Sequence, residues 1–225
     1  NPDNVSEDDY QYVVVEVLYI EGSETTITIK GNGAMVSGGS DINYNYENNN
    51  YLINSVVSVI NGARLNIEGG YYHSYNIGDV IFAKTESVVY ISGGKFEADN
   101  PYYGKYYVLD TYDKDNENRG YFYVSGGEFV NFDPANHTID GDYTNKVVNG
   151  YHSIKSGNSY IVSPHTDKDD NKRCDDCNIS LCETHTEVID AAVEATCTTD
   201  GKTAGSHCSV CYEVLVAQET VDALG

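Results

Sequence analysis

Tryptophan is absent from this chain of 225 residues, methionine occurs once and proline only four times. No run of eighteen apolar residues exists, which excludes a membrane-spanning helix. Basic residues are also scarce: 13 Lys and Arg stand against 35 Asp and Glu, a formal charge of −22. A surface that negative repels phosphate backbones and anionic headgroups, and no basic patch offsets it. Binding to DNA, RNA or a membrane surface is therefore not expected. No hydrophobic leader follows Asn1, and the polar start and the Leu224-Gly225 end suggest a mature or trimmed chain. No Gly-x-Ser-x-Gly, phosphate loop or nucleotide fingerprint appears. Cysteine is missing from the first 173 residues; all six lie between positions 174 and 211.

What is abundant is Tyr and Gly, 21 of each. Tyr with Val and Ile favours strands, whereas Gly, Asn and Asp favour turns. Four segments align: Ala34-Met35-Val36-Ser37-Gly38-Gly39, Leu65-Asn66-Ile67-Glu68-Gly69-Gly70, Val89-Tyr90-Ile91-Ser92-Gly93-Gly94 and Phe122-Tyr123-Val124-Ser125-Gly126-Gly127. Ile27-Thr28-Ile29-Lys30-Gly31 is a weaker fifth copy, and the Gly pairs are spaced by 31, 24 and 33 residues. Tyr72, Phe96 and Phe129 each stand two residues after a pair. Period-two alternation points one face of each strand inward. The Gly pair supplies backbone angles that a side chain forbids, so the chain turns a corner there. Stacking such units buries a continuous core.

Residues 1–162 thus predict an all-β body, a short right-handed parallel β-helix, with further strands at 13–20, 52–60, 80–83 and 106–109. Polar loops are expected at 43–50 and 113–119. An antiparallel sandwich or barrel is the competing fold, although Asn-Gly hairpin signals are few. The Val-Ser-Gly-Gly-x-Phe copies, ending in Val124-Ser125-Gly126-Gly127-Glu128-Phe129, resemble the pectate-lyase-like β-helix repeats of bacterial surface and phage tail proteins. Asn145-Lys146-Val147-Val148-Asn149-Gly150-Tyr151, with Tyr160-Ile161-Val162, resembles the last coil and cap of such repeats.

A second unit is expected over 163–225. It holds two Cys-x-x-Cys pairs, Cys174 with Cys177 and Cys208 with Cys211, plus Cys182, Cys197, His165 and His185. Six Cys and two His provide eight ligands, enough for two structural Cys₃His zinc sites in a zinc-ribbon-like region. One grouping is His165, Cys174, Cys177 and Cys182; the other is His185, Cys197, Cys208 and Cys211, with His207 as a substitute ligand. Disulfides are the alternative, since a small extracellular unit commonly uses them. Either way the unit is too small to fold on burial alone. No βαβ pattern surrounds either pair, which argues against a redox role. Asp167, Asp169 and Asp170 lack the Gly and terminal Glu of a Ca²⁺ loop and read as a solvated acidic turn.

His185-Thr186-Glu187, Ala195-Thr196-Cys197, Gly201-Lys202 and Cys208-Ser209-Val210-Cys211 also resemble small Cys/His repeats of Firmicutes surface proteins. Those repeats carry Gly after the knuckle; Asn178 and Tyr212 stand there here, and Tyr212 is ill suited to left-handed backbone angles. This resemblance implies an extracellular or cell-surface location.

A reaction finds little support. A lyase needs a base facing carboxylates, and a hydrolase needs paired acids. Arg64, Arg119 and Arg173 have no evident acidic partners, and Asp140 with Asp142 reads as a turn. Two Asn-x-Ser/Thr tripeptides begin at Asn136 and Asn178, a pattern frequent by chance. Tyr71, Tyr72, Tyr90, Tyr102, Tyr103, Tyr106 and Tyr107 can stack on sugar rings or fill the core. The expected function is non-catalytic adhesion or carbohydrate contact with glycans or host cell-surface proteins, the Cys-rich tail acting as a spacer. A polysaccharide-degrading lyase or hydrolase and a structural stalk are the alternatives.

Overall fold

In the computed structural model, residues 17–37, 55–75, 79–99, 107–111, 119–136 and 145–225 are described. The Gly38-Gly39 pair, the 43–50 loop, most of the 113–119 loop, Tyr102, Tyr103, Tyr106, Asp140 and Asp142 lie outside them. The chain divides into two compact units, Asn1–Pro164 and His165–Gly225. Among the described residues every regular element is a strand.

The first unit has two sheets. One contains β1 (Leu18–Glu21), β4 (Ser55–Ile60), β6 (Asp79–Ala83) and β8 (Leu109–Asp110), in that order and parallel throughout. The other holds β2 (Thr26–Ile29), β3 (Ala34–Ser37), β5 (Arg64–Ser74), β7 (Val88–Ala98), β9 (Tyr121–Val124) and β10 (Gly127–Val130), again parallel. An antiparallel hairpin, β11 (Tyr151–Ser156) and β12 (Ser159–Pro164), pairs through β12 with β10 and closes that edge. From β4 to β9 the chain alternates between the two sheets, so that parallel neighbours within a sheet are separated by a strand of the other.

Register explains the repeat. Ile27, Leu65, Val89 and Phe122 face one another along one row, and Ile29, Ile67, Ile91 and Val124 along the next. Beyond the glycines, Met35, Tyr72, Phe96 and Phe129 form a third row. Tyr72, Phe96 and Phe129 stack with ring centroids 5.0 and 4.9 Å apart, all fully buried. Apart from Ile27, which is exposed, these rows pack with Val57, Val59 and Ile81 of the other sheet in one apolar cluster.

One alignment is corrected by the register. Ala34–Ser37 does not pair as the start of a repeat; it lies beside Tyr71–Ser74, past the glycines. The weaker copy, Ile27–Ile29, pairs instead with Leu65–Ile67. The Gly31 and Gly33 carbonyls face Gly69 and Gly70, so the glycine corner in this coil is split by Asn32.

The second unit is built from short antiparallel pieces. β13 (Glu187–Asp190) pairs with β15 (Gly205–Cys208), which pairs with β16 (Val214–Val216). β14 (Gly201–Lys202) pairs with β17 (Thr220–Val221). Ile189, Val214 and Val216 are exposed, and the only buried apolar side chains of this unit are Cys174, Cys208 and Cys211. Its buried side chains are therefore three cysteines and Ser206.

Candidate metal centres

Each Cys-x-x-Cys pair sits on a tight turn whose geometry follows from backbone bonding. In the first, Asn178 N–H donates to the Cys174 carbonyl at 2.8 Å, and Cys174 N–H to the Ile179 carbonyl at 2.9 Å. In the second, Tyr212 N–H donates to the Cys208 carbonyl at 3.0 Å, and Cys208 N–H to the Glu213 carbonyl at 2.9 Å. Asn178 and Tyr212 both take left-handed angles, φ 60° and 58°. Tyr212 thus adopts the turn that its β-carbon disfavours, and its ring lies against His207, centroids 6.3 Å apart. Left-handed angles at a residue with a β-carbon carry a strain of roughly 1–2 kcal/mol.

A His-Thr pair docks on each turn in the same way. Asp175 N–H donates to the Thr166 carbonyl at 2.8 Å, and Ser209 N–H to the Thr186 carbonyl at 2.9 Å. That brings His165 Nδ1 to 3.5 Å from Cys177 Sγ, and His185 Nδ1 to 3.5 Å from Cys211 Sγ. The unit is an internal duplication of His-Thr plus knuckle. Arg173 ties the two together, donating through Nε to the Cys211 carbonyl and through a terminal nitrogen to the Asn178 carbonyl.

Two clusters result. Ligand atoms of Cys182, His185, Cys208 and Cys211 all lie within 4.8 Å of one another, and those of His165, Cys174 and Cys177 do likewise. Two groupings expected from the sequence change here. Cys182 joins the second knuckle, not the first, and Cys197 is exposed and belongs to neither cluster. The signal for the swap is local: Cys182 and His185 stand three apart, and the bridge between Arg173 and Ser180 aims that segment across. His207 is taken by Asp190, with Nδ1 2.9 Å from a carboxylate oxygen. No two cysteine sulfurs stand at disulfide-bonding distance.

The electrostatics of the tetrad fit a cation. The backbone N–H groups of Cys211 and Val210 pull the Cys208 thiol down to about 5. Ser180 helps lower Cys211. Burial and the neighbouring Cys211 and Cys208 sulfurs push Cys182 up to about 11. Three thiols thus compete for negative charge in one place, and a divalent ion removes that competition by holding all three as thiolates. Two or three sulfurs with imidazole suit Zn²⁺.

No protein-family model matches this chain, and no curated protein or solved structure matches it. Function is therefore read from residues alone.

The other candidates are placed as follows. Asp167 accepts the N–H groups of Asn171 and Lys172, Asp169 accepts that of Asn171, and Asp170 pairs with Lys172, so the loop uses its own carboxylates. Arg64 is exposed on β5, and Arg119 bridges Lys84. Tyr72 fills the core and donates its hydroxyl to the Gly69 carbonyl at 3.0 Å. Tyr90 and Tyr123 are exposed on the outward face and stack on each other at 5.2 Å. Sequence reasoning missed one cluster, His73 with Glu97 and Asp99. Its signal was available, because His73 and Glu97 both stand three residues after a Gly pair.

Proposed function

We propose that the chain is a non-catalytic extracellular or cell-surface protein that contacts glycans, built on a short right-handed parallel β-helix and extended by a zinc-folded, zinc-ribbon-like spacer. The β-helix reading is supported by parallel registers repeated coil after coil and by the alternation of strands between two sheets. Right-handedness follows the general rule for parallel crossovers. The spacer reading rests on the Cys182, His185, Cys208 and Cys211 tetrad, a convergent four-ligand set able to replace the core that this unit lacks.

For contact, one observation carries the proposal. Thr28, Asn66, Tyr90 and Tyr123 form a single outward row across four neighbouring strands. Asn66 Nδ2 donates to Thr28 Oγ1 at 3.2 Å, and the two rings stand stacked beside them. A flat strip of amide, hydroxyl and aromatic groups matches the hydroxyl-bearing edges and apolar faces of sugar rings. The charge of −22 favours neutral over acidic glycans.

A glycan array with the whole chain tests this. Binding to neutral glycans that falls at least about tenfold in Tyr90→Ala and Tyr123→Ala, with metal content unchanged, is the expected result. Binding indifferent to both changes, or release of new sugar ends during incubation, overturns the reading. Zinc retained by the intact protein and lost in Cys208→Ser is expected from elemental analysis.

A further inference from the structure

The first unit carries a third convergent set of ligand groups, without cysteine. His73 on β5 and Glu97 on β7 are direct partners in the parallel register. Asp99 follows two residues after Glu97 and so shares its face, and its N–H donates to the Ser74 carbonyl at 2.9 Å. One ligand atom from each of the three lies within 4.8 Å of the others. Glu97 also accepts a hydrogen bond from the Tyr71 hydroxyl at 2.8 Å.

His73 is not a surface residue that happens to lie near acids. Tyr72 points into the core, so His73 points to the opposite face, and there the rings of Tyr71 and Tyr75 cover it, centroids 5.4 and 4.0 Å away. Its side chain is only 7 % exposed, while that of Asp99 is 40 % exposed. The ring's Nε2 lies 2.7 Å from Asp99 Oδ1, and Nδ1 is buried with no hydrogen-bond partner. The polar contact of a nine-tenths-buried imidazole is therefore directed at the Asp99 carboxylate, with Glu97 beside it. Among the described residues no Lys or Arg forms an ion pair with either acid.

We propose that His73, Glu97 and Asp99 bind a divalent transition-metal cation of the Mn²⁺ and Zn²⁺ class. One imidazole nitrogen and two carboxylate oxygens form its donor set. Hard Ca²⁺ and Mg²⁺ prefer all-oxygen sites, so the imidazole selects against them. The buried ring supplies a pre-positioned ligand, and the exposed side of Asp99 gives the ion its entry path. Three protein ligands leave the remaining positions to water or to an oxygen of a bound molecule. The ion would also clip β5 to β7 across neighbouring coils. This site is independent of the cysteine centres, so either can fail alone.

The test uses the full chain given only enough Zn²⁺ to fill its thiolate centres, which outcompete an imidazole–carboxylate site for that ion. Mn²⁺ is then titrated and the free ion followed by electron paramagnetic resonance. One saturable equivalent is expected, with paramagnetic broadening centred on the His73 and Tyr71 ring signals. Glu97→Gln and Asp99→Asn should each weaken binding at least about tenfold, and His73→Gln should abolish it. Because His73 is buried, near-UV circular dichroism checks that each variant folds, and the two carboxylate variants decide the matter if His73→Gln does not. No saturable uptake, equal affinity in both carboxylate variants, or broadening centred elsewhere overturns the proposal.

Discussion

Lys146 is the residue whose environment departs furthest from what its side chain prefers. It is 5 % exposed, with its ammonium 6.0 Å from the Phe132 ring centroid, and its backbone is fixed between the Pro134 carbonyl and Val124 N–H. Burial pulls it down to about 8; Asp110 opposes that shift and Arg119 adds to it. A base depressed in the folded state is protonated more fully in the unfolded chain between about pH 8 and its ordinary value of 10.5, so stability rises with pH across that window. Burial also pushes Tyr72 up to about 12, so the opposite trend begins near pH 10, where the unfolded phenol ionises first. The first unit should therefore gain stability from pH 8 toward pH 10 and lose it beyond. Urea melts across this range should show the rise in the native chain, by at most about 3 kcal/mol, and a flat profile there in Lys146→Met. A native profile that falls between pH 8 and 10 would sink this account.

At the scale of the strand, the two glycines of each pair serve different ends. A β-carbon on Gly126 would stand 2.3 Å from the Ser92 carbonyl oxygen on β7, a clash with backbone that cannot yield. Gly127 has open approach on no side either, but its decisive feature is φ 114°, which L side chains rarely adopt. The first glycine lets neighbouring parallel strands approach, and the second turns the chain so that Phe129 enters the ring stack. Gly126→Ala should cost at least about 2 kcal/mol in denaturant melts, in the range of an overpacked core. Gly33→Ala is the control: nothing lies within 4 Å of its β-carbon position and its φ is not left-handed. It should change stability by no more than about 0.5 kcal/mol. Equal costs for the two substitutions would mean that close coil approach is not what the pair provides.

Across the whole molecule, the two units depend on different forces. The first buries rows of Leu, Ile, Val and Phe, whereas the second buries cysteine sulfur and little else that is apolar. A strong chelator should therefore melt the second unit and spare the first, because structural zinc supplies folding free energy of roughly 10 kcal/mol or more in such small units. Hydrogen exchange read by mass spectrometry checks this. Protection of the Asn178 and Tyr212 amides should vanish on chelation, while that of β5 and β7 stays. Retained protection at both knuckle amides would show that the unit needs no metal.

Much of this was legible residue by residue. Leu65, Val89 and Phe122 announce their own register, because alternation and the following Gly pair repeat together. The corner at Gly31-Asn32-Gly33 hid the first coil, since one inserted residue makes Ala34 look like a new beginning. Cys174-x-x-Cys177 and Cys208-x-x-Cys211 are visible as knuckles in any reading. Cys182, by contrast, is nearer in sequence to Cys177 than to Cys208, yet the folded chain brings it to the second knuckle. By itself the sequence determined the strands, the glycine corners and the ligand types, because each depends on a few adjacent residues and their period. The tertiary structure alone decided which cysteines meet and that Asp99 closes on His73. Those contacts depend on how segments far apart in sequence are brought together, which no local period encodes.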